Sequence, residues 1–450
     1  MQPTEQSHRC LQSERSSSMN LHSSYLTLSN DMLFFQQSLF EHNLPQYQEW
    51  FFNEIISAKN TAILTRAARG FAKGGHLLQL QSLHDLNLLD PSTDFRDYAA
   101  IGGHQHILQW AYELNFKWST RTLALAAQNG HLELLKWLRA NGCEWDLFAC
   151  AFAAEGGHLE VLKWLRANGC EWDLYTCANA AKEGHLEVLQ WARANGCSWS
   201  YNVIEFASRS GYLDIIKWAH SNGAQMKANA VVEALIGGHF EVFEWLVNNG
   251  CPFDSYSAEH AAKFGRLDAL KLMKERGFND WGVCCTCAAQ GGHLDTLKWL
   301  IAIGCDNNDM VEAAALNGHL HILQWLLEIG RKLTNVCFFA SKSGHLEILK
   351  WAKNNGEEWN FSCCAIAAKG GHLNVLKYLR ENGCDWNGNV CKFAAYEGRL
   401  EVLQWAVENG CPWDLEKGLE FFRSGIVTGS QKKVVEWLTC KVNQNVNKKD

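Results

Sequence analysis

Residues 130–145 read Gly-His-Leu-Glu-Leu-Leu-Lys-Trp-Leu-Arg-Ala-Asn-Gly-Cys-Glu-Trp, and this stretch returns along the chain with small changes. Its opening tripeptide stands at Gly130-His131-Leu132, Gly157-His158-Leu159, Gly184-His185-Leu186 and onward to Gly371-His372-Leu373. The marker glycines fall at 103, 130, 157, 184, 211, 238, 265, 292, 318, 344, 371 and 398, a period of 27 residues with two contractions of one residue. A fixed period of roughly 20–50 residues is the mark of a solenoid, whose units are too small to bury an apolar face alone and must stack on their neighbours.

Within one unit the pattern is helical. Leu132, Leu134, Leu135, Trp137 and Leu138 form an apolar stripe, with Glu133 in the first turn and Lys136 and Arg139 further on, as the helix dipole favours. The helix stops at Asn141-Gly142, and a glycine recurs twelve residues after almost every marker; Asn115 is the early departure. A second helix is expected at about Leu147–Glu155, where Cys150, Ala153 and Ala154 face the core and the small Ala pair permits close helix approach. Trp164 and its ladder mates are expected in the core.

Helix, glycine-capped loop, helix ending in Ala-Ala, then Gly-His: Ala126-Ala127, Gly130-His131, Gly142-Cys143 and their copies resemble ankyrin repeats over roughly residues 60–440. The resemblance implies an all-α, ankyrin-like solenoid of stacked helix-turn-helix repeats and a protein that binds other proteins. A standard unit is about 33 residues with a Thr-Pro-Leu-His start. That tetrapeptide is absent and the units are shorter, so the β-hairpin loops between repeats are expected to be reduced or absent. Trp145, Trp172, Trp199, Trp359, Trp386 and Trp413, fifteen residues after their markers, are placed to plug the shortened junction. The chain is similar to the short, Trp-rich ankyrin variety of protist and giant-virus proteomes.

The tract from about Gly75 to Gly410 shows no break in composition and reads as one long domain, 61–440, of about twelve or thirteen repeats. Residues 1–25 are Ser- and Gln-rich and read as a disordered tail, and residues 441–450 as a frayed end. Residues 26–60 turn aromatic, with Phe34, Phe35, Phe40, Trp50, Phe51 and Phe52, and are expected to be a helical cap over the first repeat. The alternative is an F-box-like adaptor opening at Leu44-Pro45, which would make the chain a substrate-recognition subunit of a ubiquitin ligase; Gln46, Tyr47 and Gln48 match such a start poorly.

The net charge of −7 comes from interspersed Asp+Glu (48) and Lys+Arg (41) without long like-charge runs, which disfavours a nucleic-acid or membrane-surface partner. No leader-like segment and no long apolar span are legible, so the chain reads as intracellular and monomeric, cytoplasm and nucleus being indistinguishable. Seven of the eighteen cysteines (Cys143, Cys170, Cys197, Cys251, Cys305, Cys384, Cys411) stand thirteen residues after a marker; Cys150, Cys177, Cys285, Cys364 and Cys391 stand twenty after. Equivalent residues of stacked repeats lie about 9–10 Å apart, beyond the roughly 4.4–6.8 Å that a disulfide spans between Cα atoms. They read as small buried thiols in a reducing compartment.

Ten of the eighteen histidines are the marker histidine. A repeat apart, they cannot converge on one metal ion and are expected to be structural. Cys284, Cys285 and Cys287 include a C-x-x-C spacing, but inside a helix and without a second such pair. No nucleotide, zinc-protease or hydrolase motif is present. No catalytic, cofactor or metal residue is nominated, and a non-enzymatic scaffold is the expectation. The variable positions are eighteen, twenty-two and twenty-five after each marker, on one face of the second helix. They give the candidate partner-binding residues Phe148, Phe152, Tyr175, Asn179, Lys182, Phe206, Arg209, Tyr256, His260 and Lys263, expected on a concave face open to a protein or peptide.

Overall fold

The computed structural model describes residues 60–446 apart from 146–147, 174, 201, 308 and 424–428. The expected disordered tail, and the expected cap or adaptor except for Asn60, lie outside these residues. The described residues hold 28 α-helices, from Thr61–Gly74 to Gly429–Val446, and no β-strand. The fold is all-α, a ladder of stacked helical hairpins. By its internal contacts the chain divides into two compact units, Met1–Ser200 and Tyr201–Asp450. The last helix continues through residues 441–446.

Each repeat pairs a marker helix with a second helix. The marker helix Leu132–Ala140 buries Leu134, Leu135 and Leu138, each stabilising by about 1.5–3 kcal/mol. It ends in a Schellman turn, with Cys143 N donating to Leu138 O at 3.0 Å and Gly142 N to Arg139 O at 3.2 Å. Gly142 has φ +80°, and a Cβ there would meet nothing within 4 Å. Only the left-handed backbone is required, and Asn115 at the equivalent place supplies it with φ +60°. The second helix, Ala149–Glu155, buries Ala149, Cys150, Ala151, Ala153 and Ala154. These small residues let successive second helices pack closely.

The marker glycine answers to two demands. Gly130 has φ +79°, and a Cβ built on it would lie 2.6 Å from the His158 ring of the next repeat. The contact recurs at Gly103 with His131, Gly157 with His185, Gly211 with His239, and Gly265 with His293. From the same seat the marker imidazole reaches a carbonyl at the C-terminal end of the preceding second helix. Nε2 of His131 meets Ile101 O at 2.9 Å, His185 meets Glu155 O at 3.0 Å, His319 meets Gln290 O at 2.9 Å and His345 meets Leu316 O at 3.0 Å. A carbonyl only accepts, so Nε2 carries the proton in each case. The expected structural role of these histidines is thus a bond between repeats. Where arginine replaces histidine it takes the same seat: Arg399 Nε donates to Lys369 O at 3.4 Å.

The tryptophans differ from expectation. Trp164 and its equivalents are half-buried, not core, because the ring lies over the loop between repeats. Trp145 meets Trp164 edge-on at 6.2 Å and Trp172 meets Trp191 at 5.9 Å. Arg139 and Arg166 lie over Trp145 and Trp172 at 4.0 and 4.4 Å. The shortened junction is closed by this Arg-Trp-Trp clasp. Among the described residues no cysteine forms a disulfide and all but Cys287 and Cys440 are buried, as expected. The separation argued for a single ladder overlooked that the two ladders meet: Cys150 Sγ lies 3.3 Å from Cys170 Sγ in the next repeat.

The two glycine classes are separable by mutation. Gly142→Ala is expected to cost about 1–2 kcal/mol, the left-handed backbone alone. Gly130→Ala adds the clash with His158 and is expected to cost on the order of 3 kcal/mol or more. Urea unfolding of the two variants measures the difference; equal midpoints would remove the ring contact from the account.

Burial lowers the pKa of His76, His104, His158 and His293 below the ordinary 6.5. Neighbouring marker histidines add repulsion once charged. A depressed folded value means that the unfolded chain takes up protons first, so this stability is complete above about pH 6.5 and is lost as pH falls through the folded values. Melting temperature is expected to fall steadily from pH 7 to 5; a flat profile would contradict the burial of these rings.

Candidate partner-binding face

The ten candidate residues divide evenly between the two units, and none of them is buried. In the first unit Phe148 and Tyr175 are each 47 % exposed. Both stand at the N-cap of their second helices, Ala149–Glu155 and Thr176–Lys182. Asp173 fixes the second of these ends, its Oδ1 accepting from Tyr175 N at 2.8 Å, Thr176 N at 2.7 Å and Thr176 Oγ1 at 2.9 Å. Phe152 and Asn179 follow half-buried, one turn on. Lys182 is exposed, but its ammonium reaches Glu155 at 3.2 Å and Glu183 at 2.9 Å. Glu155 also accepts from Gln128 Nε2 at 3.0 Å. Gln128, Glu155 and Lys182 therefore form a polar ladder along three repeats, each rung worth about 0–1 kcal/mol in such exposure. The side-chain bond to Glu183 raises the Lys182 pKa.

In the second unit Arg209 is exposed and pairs with Glu233 at 2.9 Å, while Phe206 is half-buried. Burial beside Glu233 raises the Glu205 carboxyl above its ordinary range. The helix Ser255–Lys263 carries the densest aromatic strip. Tyr256, 53 % exposed, meets the His260 ring at 4.2 Å, and His260 meets Phe264 at 6.2 Å. His260 Nδ1 faces Tyr256 O at 2.9 Å and so donates to it. A capping box starts the helix, with Asp254 Oδ1 accepting from Ser257 N at 3.0 Å and Ser257 Oγ accepting from Asp254 N at 3.4 Å. Lys263 at the end of the strip is exposed.

Sequence reasoning missed Phe264, Val283 and Phe361, all exposed. Phe264 lies one residue beyond the last variable position, at the C-cap of its helix, and Phe361 stands one place before the first, directly after the N-cap Asn360. Periodicity also could not see that Lys182 and Arg209 are engaged by acids of neighbouring second helices.

Cys284, Cys285 and Cys287 lie in the helix Cys284–Gly291, the first two buried. Burial raises the Cys284 thiol pKa, and a hydrogen bond to Cys305 raises that of Cys285. Among the described residues no group of three or more His, Cys, Asp or Glu is arranged to hold a metal ion. Among them, too, no helix is long and apolar enough to cross a membrane.

Residues 123–205 match a family model described as ankyrin repeats in three copies, and residues 258–301 one described as ankyrin repeats in many copies. No curated protein matches the chain. Similar solved structures include the pentatricopeptide repeat protein PPR10 from maize, 14% identical, covering 99% of this chain and 78% of that one with a TM-score of 0.33. The same protein in complex with an 18-nt psaJ RNA element is 13% identical, covering 98% and 88%, with a TM-score of 0.27. The Gly-His turns, the Ala-lined second helices and the two family matches agree that this chain carries ankyrin repeats.

Proposed function

We propose that the chain is a non-enzymatic scaffold that binds a protein or peptide partner along the exposed face of its second helices. What supports the reading is one observation: Phe148, Tyr175 and Tyr256 each keep about half of their surface in water at the ends of helices whose opposite faces are fully anchored. A ring half in water adds less to the fold than a buried one, and a partner gains from it, because rigid aromatic side chains lose little entropy on contact and dominate interface energies. The bases nearby are mostly paired with acids, so the face offers aromatic contact and directed hydrogen bonds more than net charge. A second helix held on both sides by its neighbours is pre-organised, which lowers the cost of binding.

Selection of displayed random peptides on the immobilised full chain tests this. Peptides enriched on the parent should lose about tenfold or more in affinity for Phe148→Ala/Tyr175→Ala or for Tyr256→Ala/Lys263→Ala, with melting close to the parent. Peptides that bind both variants as well as the parent would reject the face. Retention of single-stranded RNA with a steep salt dependence, and of no peptide, would assign it to nucleic acid instead.

A further inference from the structure

The two cysteine ladders meet at the repeat boundaries. Cys150 Sγ lies 3.3 Å from Cys170 Sγ, and Cys177 Sγ lies 3.0 Å from Cys197 Sγ. Each contact joins position twenty of one repeat to position thirteen of the next. The same register, position twenty against position thirteen of the next repeat, sets Cys285 against Cys305, Cys364 against Cys384, and Cys391 against Cys411, and the Cys285 thiol donates to Cys305 O at 3.0 Å. Every position-twenty cysteine therefore faces a cysteine. Cys143 and Cys251, the remaining members of the other ladder, have Leu123 and Val231 at the corresponding places.

We propose that these five pairs are sites of reversible oxidation, each forming a disulfide that staples one repeat to the next when the protein meets a two-electron oxidant of the peroxide class. At Cys150–Cys170 and Cys177–Cys197 the sulfurs need to close by only about 1 Å to reach the bonded separation of about 2.05 Å. The position-thirteen sulfur attacks a peroxide oxygen, the O–O bond breaks, and water or an alcohol leaves, giving a sulfenic acid. The facing thiol then attacks that sulfur; the S–S bond forms, the S–O bond breaks and water leaves. The pair has lost two electrons and two protons to one peroxide. Cys305 and Cys411, 6 % and 7 % exposed, are the most accessible members of their pairs. The Cys285 S–H donates to Cys305 O at 3.0 Å, which places the two cysteines side by side, and Cys305 has its pKa lowered to about 7. Pairs deeper in the array become reachable when adjacent repeats part, which in a solenoid is a local event. Each bond constrains only neighbours, so oxidation raises the coupling along the array without changing its fold.

The test treats the native full chain with hydrogen peroxide, alkylates the remaining thiols in denaturant, and maps the digest by mass spectrometry. The expected linkages are 150–170, 177–197, 285–305, 364–384 and 391–411, with Cys143, Cys251, Cys284 and Cys363 alkylated. The melting temperature should rise by on the order of 10 °C and return on adding dithiothreitol. Cys411→Ala should lose its own linkage and keep the other four. Disulfides between chains, sulfinic acids at unlinked pairs, or an unchanged melting temperature would each overturn the proposal.

Discussion

The structure depends on an imidazole of one repeat lying against a glycine of the repeat before it. A helix that ends in a Schellman turn satisfies two of its terminal carbonyls and leaves others exposed. The carbonyl two residues before the marker glycine is one of these, and the marker histidine of the next repeat donates Nε2–H to it. The ring can reach that carbonyl only across the space a Cβ would fill. One glycine thus turns the chain, admits the next repeat and aims the bond that holds it. Burial lowers the pKa of His104 and His158 among these rings.

The rest of each junction is arranged about that contact. The Ala-rich second helices stack directly, the paired thiols fill the buried layer between them, and the Arg-Trp-Trp clasp closes the loop side. Because each of these contacts joins only adjacent repeats, positions outside them are less constrained. Phe148, Tyr175 and Tyr256 are such positions, which is why recognition on this scaffold would concentrate on the ends and outer face of the second helices.

Much of the fold was legible because the period repeats its own evidence. Gly130 and Gly142 named both helix ends, Leu134, Leu135 and Leu138 named the buried stripe, and the missing hairpin followed from the shorter unit. Relations between repeats were harder. Nothing in the spacing said that position twenty of one unit meets position thirteen of the next, so Cys150 and Cys170 were treated as members of separate ladders. Trp164 looked like core by its helical phase, yet it lies where the stripe meets the loop, and phase alone does not locate that edge. At the candidate face, exposure of Phe148 and Tyr256 followed from their phase; the pairing of Lys182 with Glu155 and of Arg209 with Glu233 is set by the inter-repeat stagger, which no single-sequence pattern encodes.

The marker histidines donate from Nε2 to the preceding repeat, and this bond is the claim on which the rest stands. Long-range nitrogen–proton correlation NMR of the imidazole rings at neutral pH reads this directly. His104, His131, His185, His319, His345 and His372 should all show the Nε2–H tautomer, with His260, bonded through Nδ1 to Tyr256, showing the opposite one. Marker rings found as the Nδ1–H tautomer would contradict the account.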